Sequence, residues 1–581
     1  MILAVYPLVP LPRGMRSFDY ETALADLKRG DGVRVPFKGR SILAVVLEYR
    51  NVAETKHKLK EVESLHTRNL IRPELLDVYE RLADALFLAP STLLSAGSWQ
   101  TQNGPIKQSS KSSNATADSV TIDFAKAVQQ SAEPKTRLSV TCDPRTALVA
   151  TRAIASTTKG TLIITPQERD AMDCANTLAL TNSALLHGHT TEKERAIILH
   201  AWQTGKISTL ITTRAGLIAN HPKLHTIIIL NSGHDEHQNV RRNPRFDARE
   251  LSYLFAKADG AALVMFDTLP RLEDHVRATQ TITKSIETKP VVISLRSQEE
   301  RSGKQLLTSS LESAIKDALQ ANKKVLLYFN RKGVGKRLQC QGCGHVPFCG
   351  SCGASPIVRL DDLQCETCGA EMWLPQTCPA CHKPKLKLIG VGATKIEATL
   401  KDHFPSATIG RMEKGEPRRE LADITIVTEY FFSAIFDPFA KYNLGVVADL
   451  MCDLGLYGTD FRMGEHLARH IARLTYLADR NKAQCFIQTY TSDAVEPLCD
   501  TEHFLATETE ERRKYHLPPF GGRLIVKARE GLEDAKLPTG FRKKNDHYLY
   551  SFTDTSQLPT PNSELPPILN DSPYGSPPRT P

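Results

Sequence analysis

Four Cys-x-x-Cys pairs in one short segment constrain the fold of this chain more than any other feature. Each pair sets two thiolates on one tight turn, at a separation that suits two corners of a tetrahedral Zn²⁺ site. Eight such ligands complete two Cys₄ sites with no open position, so the pattern predicts two structural zinc ions. The pairs are Cys340 and Cys343, Cys349 and Cys352, Cys365 and Cys368, and Cys378 and Cys381.

The same cysteines could instead form disulfides, which are typical of small secreted domains that lack a core of their own. This chain has 581 residues and concentrates these eight of its 13 cysteines in one segment. Its N-terminus lacks the basic-then-apolar order of a signal peptide, and no apolar run is long enough to span a bilayer. These features favour zinc in a cytoplasmic protein without a membrane partner. The five remaining cysteines are scattered, and we interpret them as buried or free thiols.

Length and composition allow several domains and an anionic partner. A chain of this length is expected to form more than one domain, and a hydrophobic content of 41% supports packed cores. The net charge of +9 permits binding to a polyanion without identifying one. From residue 136 to about 290, short runs such as TLIIT and TIIIL alternate with helical runs, which is typical of an α/β domain.

The segment around the cysteine pairs resembles the zinc-binding insertion of the primosomal protein N′ (PriA) family, the replication-restart helicases of bacteria. The resemblance lies in the lead-in LLYFNRKGVGKRLQC, in four pairs in this order, and in a Pro-x-x-Cys-Pro-x-Cys run followed by Gly-x-Gly. It implies that the outer pairs share one zinc ion, held by Cys340, Cys343, Cys378 and Cys381. It implies a second zinc ion at the inner pairs, held by Cys349, Cys352, Cys365 and Cys368.

Further segments, notably 243–266 and 453–466, extend this resemblance over most of residues 1–525. It implies an α/β multidomain fold in which a small β-rich DNA-binding domain precedes two RecA-like lobes of a superfamily 2 helicase. The implied domains are a 3′-DNA-binding region at 1–100, a linker at 101–135, lobe 1 at 136–290, lobe 2 at 291–525 with the zinc insertion at 338–390, and a truncated C-terminal region at 526–581. The Pro-rich end of that last region is expected to be disordered.

The N-terminal region holds the candidate DNA contacts. Phe18-Asp19-Tyr20 and the run 32–37 match elements with which the family captures the 3′ end of a DNA strand, and this implies contacts from Asp19 and Tyr20. The alternative is a small β-domain in which Asp19 only caps a turn. The later run RPELLDVYERLADALF has apolar residues at helical spacing and predicts a packed helix.

The phosphate-binding loop of the family is altered in this chain. Such a loop wraps phosphates with the backbone N–H groups of a glycine-rich turn and adds a Lys-Ser/Thr pair. The corresponding run, 139–146, has no glycine; Pro144 removes an N–H donor, and Asp143 adds negative charge where phosphate oxygens would lie. Only Arg145 and Thr146 keep something like the Lys-Thr pair.

Three further motifs have lost groups that ATP hydrolysis needs. Where the family has Asp-Glu-Glu-His for Mg²⁺ and the attacking water, this chain has Asn-Ser-Gly-His at 231–234, with Asp235 and Glu236 displaced along the chain. The coupling motif Gly-Ser-Ala-Thr-Pro reads Phe-Asp-Thr-Leu-Pro at 266–270, and an arginine expected at the γ-phosphate is Leu477, although Arg480 remains. We therefore predict no catalytic residues and no bound ATP or Mg²⁺.

The favoured hypothesis is a zinc-binding replication-restart protein that binds forked or single-stranded DNA and lacks ATPase and helicase activity. The resemblance implies primosome proteins, replicative-helicase-loading proteins and single-stranded-DNA-binding protein as partners. One alternative is an active ATP-dependent 3′→5′ helicase that uses the residual groups Arg145, Thr146, Asp235, Glu236 and Arg480. Another is a scaffold that binds only proteins. A basic set near the cysteine pairs either contacts phosphates or forms a solvated face: Lys332, Lys336, Arg337, Lys383, Lys385 and Lys387.

Overall fold

The structure, a computed structural model, divides into two compact units. The first contains Met1–Thr141, Thr146–Ile282 and Glu511–Ser576, and the second contains Cys142–Arg145, Thr283–Glu510 and Pro577–Pro581. The residues that the structure describes are 1–12, 15, 17–54, 58–85, 88–95, 104–106, 118–217, 221–239, 246–296, 307–329, 337–350, 356–358, 362–365, 370–389, 393–412, 420–432, 437, 440, 442–456, 461–527, 542–544, 547–552 and 570–571.

An antiparallel sheet of five strands begins the first unit. The strands are β1 Ile2–Pro7, β2 Phe18–Glu21, β3 Gly32–Phe37, β4 Arg40–Arg50 and β5 Ser64–Thr67. Their order is β2-β1-β4-β3-β5. Alternate residues of neighbouring strands, including Leu3, Val5, Val33 and Val35, are fully buried in one cluster, as the period of two in a β-strand requires.

Two helices follow this sheet, α1 Pro73–Ala85 and α2 Pro90–Leu94. Helix α1 is the helix expected from the apolar spacing, and the ring of its Tyr79 meets Phe255 edge-on with centroids 5.5 Å apart. Just before α1, Arg72 pairs with Asp259 at 2.6 Å. One continuous set of buried side chains therefore joins the N-terminal sheet to the α/β core that comes next.

The α/β core of the first unit has seven strands and six helices. In chain order they are α3 Ser119–Ser131, β6 Arg137–Thr141, α4 Pro144–Thr157, β7 Thr161–Ile164, α5 Glu168–Leu178, β8 Ser183–Leu186, α6 Glu192–Gln203, β9 Thr209–Thr212, β10 Thr226–Leu230, α7 Ala248–Asp259, β11 Ala262–Asp267, α8 Leu272–Arg277 and β12 Gln280–Thr283. The sheet order is β12-β6-β11-β10-β7-β9-β8, and strands β6 to β11 pair in parallel. Strands β7, β10 and β11 are buried along their whole length, as expected for a parallel sheet covered on both faces.

Helix α3 lies inside the segment that the sequence predicts to be a linker. The carboxylate of Asp118 accepts the N–H of Thr121 at 2.8 Å and caps the helix. Thr121, Ala125 and Val128 are buried at spacings of three to four residues, so one face of the helix packs against the unit. The linker was predicted from the polar residues that precede Asp118, and the short amphipathic pattern after Asp118 was not recognised.

The second unit is built on a six-stranded sheet. Its strands are β13 Val291–Ser294, β14 Lys324–Tyr328, β20 Ile409–Met412, β21 Ile424–Val427, β22 Leu444–Asp449 and β23 Gln484–Thr489, with helices α9 Ser309–Gln320, α10 Ala393–His403, α11 Met463–Asn481, α12 Ser492–Val495 and α13 Thr501–Lys514. The order is β13-β23-β22-β14-β21-β20, and every pair is parallel.

A small module interrupts this unit between β14 and α10. It has a two-stranded antiparallel ribbon and a three-stranded antiparallel sheet. The ribbon pairs β15 Arg337–Cys340 with β19 Leu386–Ile389, and the sheet contains β16 Ile357–Val358, β17 Asp362–Gln364 and β18 Glu371–Trp373.

Four strands follow α13, and the first of them is the strand expected in the run RLIVKAR. They are β24 Gly522–Lys527, β25 Arg542–Lys544, β26 His547–Phe552 and β27 Asn570–Asp571, in the order β25-β26-β24-β27.

The predicted fold class is confirmed. The chain is an α/β multidomain protein with a β-rich N-terminal domain, two cores built on parallel sheets, and a cysteine-rich module. Among the helices that the structure describes, none combines the length and apolar character needed to cross a membrane.

Candidate functional site

The outer cysteine pairs come together in the module. The Sγ atoms of Cys340, Cys343, Cys378 and Cys381 all lie within 4.8 Å of one another. Cys340 Sγ is 3.5 Å from Cys381 Sγ, and Cys343 Sγ is 3.6 Å from Cys378 Sγ. Because a Zn–S bond of about 2.3 Å places tetrahedral sulfurs about 3.8 Å apart, these four thiols fit one zinc ion.

Two matching turns present these thiols. In each turn, the N–H of the first cysteine donates to the carbonyl five residues later, and its own carbonyl accepts the N–H four residues later. The partners are His345 and Gly344 for Cys340, at 2.8 and 2.8 Å, and Lys383 and His382 for Cys378, at 3.0 and 2.8 Å. Gly344 and His382 both have left-handed backbones, with φ of 76° and 58°. The pairing of β15 with β19 then sets the two turns side by side.

Backbone N–H groups also favour the thiolate form of Cys340. Burial acts against ionisation, but the N–H groups of Gly342 and Cys343 donate to the sulfur and lower the pKa of Cys340 to about 7. The N–H of Gly342 is 3.3 Å from the sulfur. A thiolate is the form that binds zinc. At Cys343 the N–H of His345 also favours the thiolate, but burial and the hydrogen bonds with the other thiols outweigh it and raise the pKa of Cys343 to about 12. Only Cys340 in this turn therefore has a lowered pKa.

The inner pairs are partly described. Cys349 and Cys365 are buried and pack in one cluster with Ala370 and Met372. The N–H of Cys365 donates to the carbonyl of Ala370, five residues later, at 2.8 Å, which repeats the pattern of the outer turns. Cys352 and Cys368 lie outside the described residues, so the second zinc site stays a prediction.

The basic set near the cysteine pairs is also partly described. Lys383, Lys385 and Lys387 are exposed, Arg337 lies in β15, and Lys332 and Lys336 fall outside the described residues. The side chains of Lys383 and Lys385 pass close to Gly342 in the outer turn. Three cations are therefore accessible on the outer side of the module.

The run 139–146, the predicted counterpart of a phosphate-binding loop, leads from β6 into α4. The carboxylate of Asp143 accepts the N–H of Arg145 at 3.0 Å through Oδ1 and the Nζ of Lys284 at 2.9 Å through Oδ2. The Asp143 and Lys284 side chains are only 11% and 19% exposed. Thr146 is fully buried in α4. A helix N-terminus attracts anions, and here an anion of the chain itself occupies that position.

The loop after β10 is fixed by a different carboxylate. Asp267, at the end of β11, accepts the N–H of Gly233 at 2.7 Å through Oδ2 and the N–H of Thr268 at 2.7 Å through Oδ1. Asp235 is exposed in a short helical turn. Glu236 is 48% exposed and lies 3.3 Å from Arg214. Both displaced carboxylates thus sit on the surface beyond the strand end.

In the second unit, helix α11 carries the remaining positions of interest. Leu477 is buried in the core between α11 and the sheet. Arg480 donates to the carbonyl of Ala440 at 2.8 Å, and burial lowers its pKa. Arg473 makes a two-fold ion pair with Glu429, at 2.9 and 2.7 Å. Both arginines therefore already have partners within the unit.

The candidate DNA contacts in the N-terminal sheet are largely buried. The Asp19 side chain is 2% exposed and pairs with Arg50 at 3.1 Å. Its second oxygen accepts the N–H of Glu54 at 2.6 Å. Tyr20 is 4% exposed, and its hydroxyl donates to the carbonyl of Pro36 at 3.2 Å. Contacts of Asp19 and Tyr20 with a DNA end stay a prediction.

Sequence reasoning missed a buried ion-pair network that holds the loop after β10. Arg249 donates to both carboxylate oxygens of Asp247, at 2.8 and 2.7 Å, and to the carbonyl of Ser232 at 2.6 Å. Arg271 lies 3.2 Å from the same carboxylate. Burial acts to raise the pKa of Asp247, but the two guanidinium groups outweigh it and lower that pKa. The only sequence signal was an Asp-x-Arg spacing at the start of α7.

Known proteins provide matches to the N-terminal region and to a larger part of the chain. Residues 8–97 match the family model of the 3′DNA-binding domain (3′BD) of PriA. Replication restart protein PriA of Haemophilus influenzae is 26% identical over 378 residues, covering 59% of this chain and 50% of that protein. The PriA of Bacillus subtilis is 24% identical over 374 residues, covering 59% and 45%. The predicted resemblance is confirmed, and the chain spans about half the length of the curated relatives it matches.

Among solved structures, RecG bound to a three-way DNA junction covers 78% of this chain and 56% of its own. Its sequence identity is 12% and its TM-score is 0.35.

Proposed function

We propose, from the similarity to replication restart protein PriA, that this chain is a cytoplasmic replication-restart protein that binds forked or single-stranded DNA without hydrolysing ATP. Two structural zinc ions, one at each set of cysteine pairs, would stabilise the module. The match of residues 8–97 to a 3′DNA-binding domain supports the DNA-binding part of this proposal. The positive net charge of +9 is compatible with a phosphate backbone as ligand.

We infer the lack of ATPase activity mainly from the carboxylate of Asp143, which lies at the N-terminus of α4. A phosphate would have to displace this carboxylate from both the Arg145 N–H and the Lys284 ammonium. It would also find no glycine-rich turn to supply further N–H donors.

A second, independent feature supports the same proposal. The strand end at Leu230 is followed by Asn231 and Ser232, which cannot hold Mg²⁺ as carboxylates do. The nearby Asp267 carboxylate is engaged by two backbone N–H groups. Phosphoryl transfer depends on positioning the phosphates and on neutralising their charge. A site without the glycine-rich N–H donors and without carboxylates for Mg²⁺ is therefore expected to be inactive.

The proposed partners follow from the same similarity. They are primosome proteins, proteins that load the replicative helicase, and single-stranded-DNA-binding protein. A protein without its own motor would act by recognising the DNA structure and positioning these partners.

Two measurements on the full, zinc-loaded chain test the proposal. We expect a fluorescently labelled fork with a free 3′ end to bind with an affinity that falls steeply as salt rises. We expect no phosphate release from ATP with or without that fork. Steady ATP hydrolysis that the fork stimulates would establish the alternative, an active helicase with a divergent site. Absence of fork binding at low salt would instead favour a scaffold that contacts only proteins.

A further inference from the structure

The three-stranded sheet of the module has one buried face. Leu363 of β17 is 3% exposed and lies opposite Met372 of β18. Met372 packs against the buried inner cysteines Cys349 and Cys365. This face therefore covers the inner cysteines.

The opposite face points to solvent and carries a tryptophan. Cross-strand partners share a face, and Asp362 lies opposite Trp373 while Gln364 lies opposite Glu371. Trp373 is 91% exposed, the largest fraction among the exposed large apolar side chains of the described residues. Glu371 is also exposed, and Asp362 is half-buried. We name Trp373, Asp362 and Glu371 the tryptophan face.

The tryptophan face is anionic. It carries the two carboxylates of Asp362 and Glu371, and the described residues of β17 and β18 include no lysine or arginine. Among the described residues, no hydrogen-bond partner is found for the Oδ1 atom of Asp362, which is shielded from solvent. Because a docking side chain cannot reach this shielded oxygen, the exposed carboxylate of Glu371 is the group that an incoming cation meets first.

This chemistry selects a cation over a nucleic acid. Phosphates would be repelled by two carboxylates, whereas an arginine or lysine is attracted both to carboxylates and to the face of an indole ring. The exposed lysines of the module lie in and before β19, outside this sheet. Among the described strands, β18 is the last of its sheet, so its outer edge can pair with an extended segment.

We propose that the tryptophan face is a docking site for an extended, arginine- or lysine-bearing segment of a partner protein. A guanidinium or ammonium group stacks on Trp373 and pairs with Asp362 and Glu371. The tryptophan face shares no residue with the N-terminal sheet to which DNA binding is attributed. If no peptide docks on this face, the proposed function still stands.

Fluorescence anisotropy of a labelled peptide tests the proposal on the full, zinc-loaded chain. The probe is a ten-residue peptide of alternating arginine and glycine, and the matched control replaces each arginine with citrulline, which has a similar shape and no charge. We expect the arginine peptide to bind and the citrulline peptide to bind at least ~10-fold more weakly. Trp373→Ala should lower the affinity for the arginine peptide by roughly 10-fold, and Glu371→Gln should lower it by roughly 3-fold.

Four controls make the result specific. Glu192→Gln, an exposed carboxylate at the start of α6, should leave peptide binding unchanged. Zinc content should be the same in Trp373→Ala as in the wild type, because the indole makes little contact with the module. Fork binding should also be equal in these two proteins. Trp373→Phe, which keeps an aromatic face, should retain more affinity than Trp373→Ala.

Trp373 emission separates the possible occupants. The chain has three tryptophans, so the emission of Trp373 is taken as the difference between the wild type and Trp373→Phe, which keeps Trp99 and the fully buried Trp202. The arginine peptide should change the emission that Trp373→Phe removes, and a thymidine oligonucleotide should not. The proposal is overturned if the arginine peptide does not bind, if it binds Trp373→Ala as tightly as the wild type, or if the oligonucleotide changes Trp373 emission.

Discussion

Lys284 Nζ lies 2.9 Å from Asp143 Oδ2, and the other oxygen of this carboxylate accepts the N–H of Arg145 at 3.0 Å. The two partners come together because β12 and β6 are neighbours in one sheet, and each residue follows the end of its strand. Helix α4 thus has an anion of the chain itself at its N-terminus, where the resemblance predicts a phosphate. The Asp143–Lys284 pair is therefore expected to stabilise this end of the helix.

Removal of the Asp143 carboxylate is expected to destabilise the protein. Asp143→Ala should lower the free energy of unfolding by about 2 kcal/mol, because it deletes a helix cap and leaves a largely buried ammonium group without its partner. Urea denaturation followed by circular dichroism measures the change. Asp123→Ala is the control, since that carboxylate is 75% exposed and should change the value by less than about 0.5 kcal/mol. An equal loss in the two variants would contradict the role given to Asp143.

His221 is expected to make stability depend on pH. Its ring packs against Trp202 with centroids 4.2 Å apart, and burial lowers its pKa from 6.5 to about 4. The folded state therefore holds the neutral ring, whereas the unfolded chain takes up a proton below pH 6.5. As pH falls from 6.5 to 4, His221 should reduce the free energy of unfolding by about 2 kcal/mol.

The measurement for His221 is a comparison of urea denaturation at pH 7 and pH 4.5 in the wild type and in His221→Gln. The variant should lose less stability over this interval, although its stability at pH 7 will be lower because the ring contact with Trp202 is gone. The buried His237, whose pKa is lowered to about 3, contributes equally in both proteins. Identical pH dependence of the two proteins would remove His221 as a cause.

The features that were predictable from sequence are those encoded over short distances. Each of the two outer Cys-x-x-Cys turns is closed by hydrogen bonds within six residues, so its spacing alone predicted a metal-binding geometry. The buried parallel strands could be recognised because strands such as β10 are apolar throughout. The outer grouping of four cysteines depended instead on the resemblance, since β15 and β19 are separated by the rest of the module.

The features that were missed depend on distant partners. Asp143 was noted as a charge in the wrong place for phosphate, but Lys284 lies 141 positions away along the chain, and only the sheet order brings it near. For Asp19 the sequence left open a DNA contact or a turn cap, and it gave no sign of the pairing with Arg50, 31 positions away on β4. Local patterns predict the strand that carries such a residue, but they do not identify its distant ion-pair partner.

Asp19 offers a test of whether its first role is structural. Asp19→Asn should lower the free energy of unfolding of the N-terminal sheet by about 1–3 kcal/mol, because Arg50 loses its largely buried counter-charge. Hydrogen exchange of the β1, β2 and β4 amides measures this locally. Asp26→Asn, at a carboxylate that is 76% exposed, is the matched control. A variant that keeps full protection but loses affinity for a 3′-hydroxyl DNA end would instead assign Asp19 to DNA contact.

The number of zinc ions per chain separates the outer site from the predicted inner site. The wild type should contain two zinc ions by plasma mass spectrometry, and Cys340→Ser should contain one, because a tetrahedral thiolate site that loses one ligand binds zinc far more weakly. Cys349→Ser should also contain one, with the outer site retained. Cys499→Ser is the control, since this half-buried thiol is distant in sequence from the module and its pKa is raised to about 11 by burial, which disfavours the thiolate. A wild-type content of one zinc ion, lost entirely in Cys340→Ser and unaffected in Cys349→Ser, would show that the inner cysteines hold no metal.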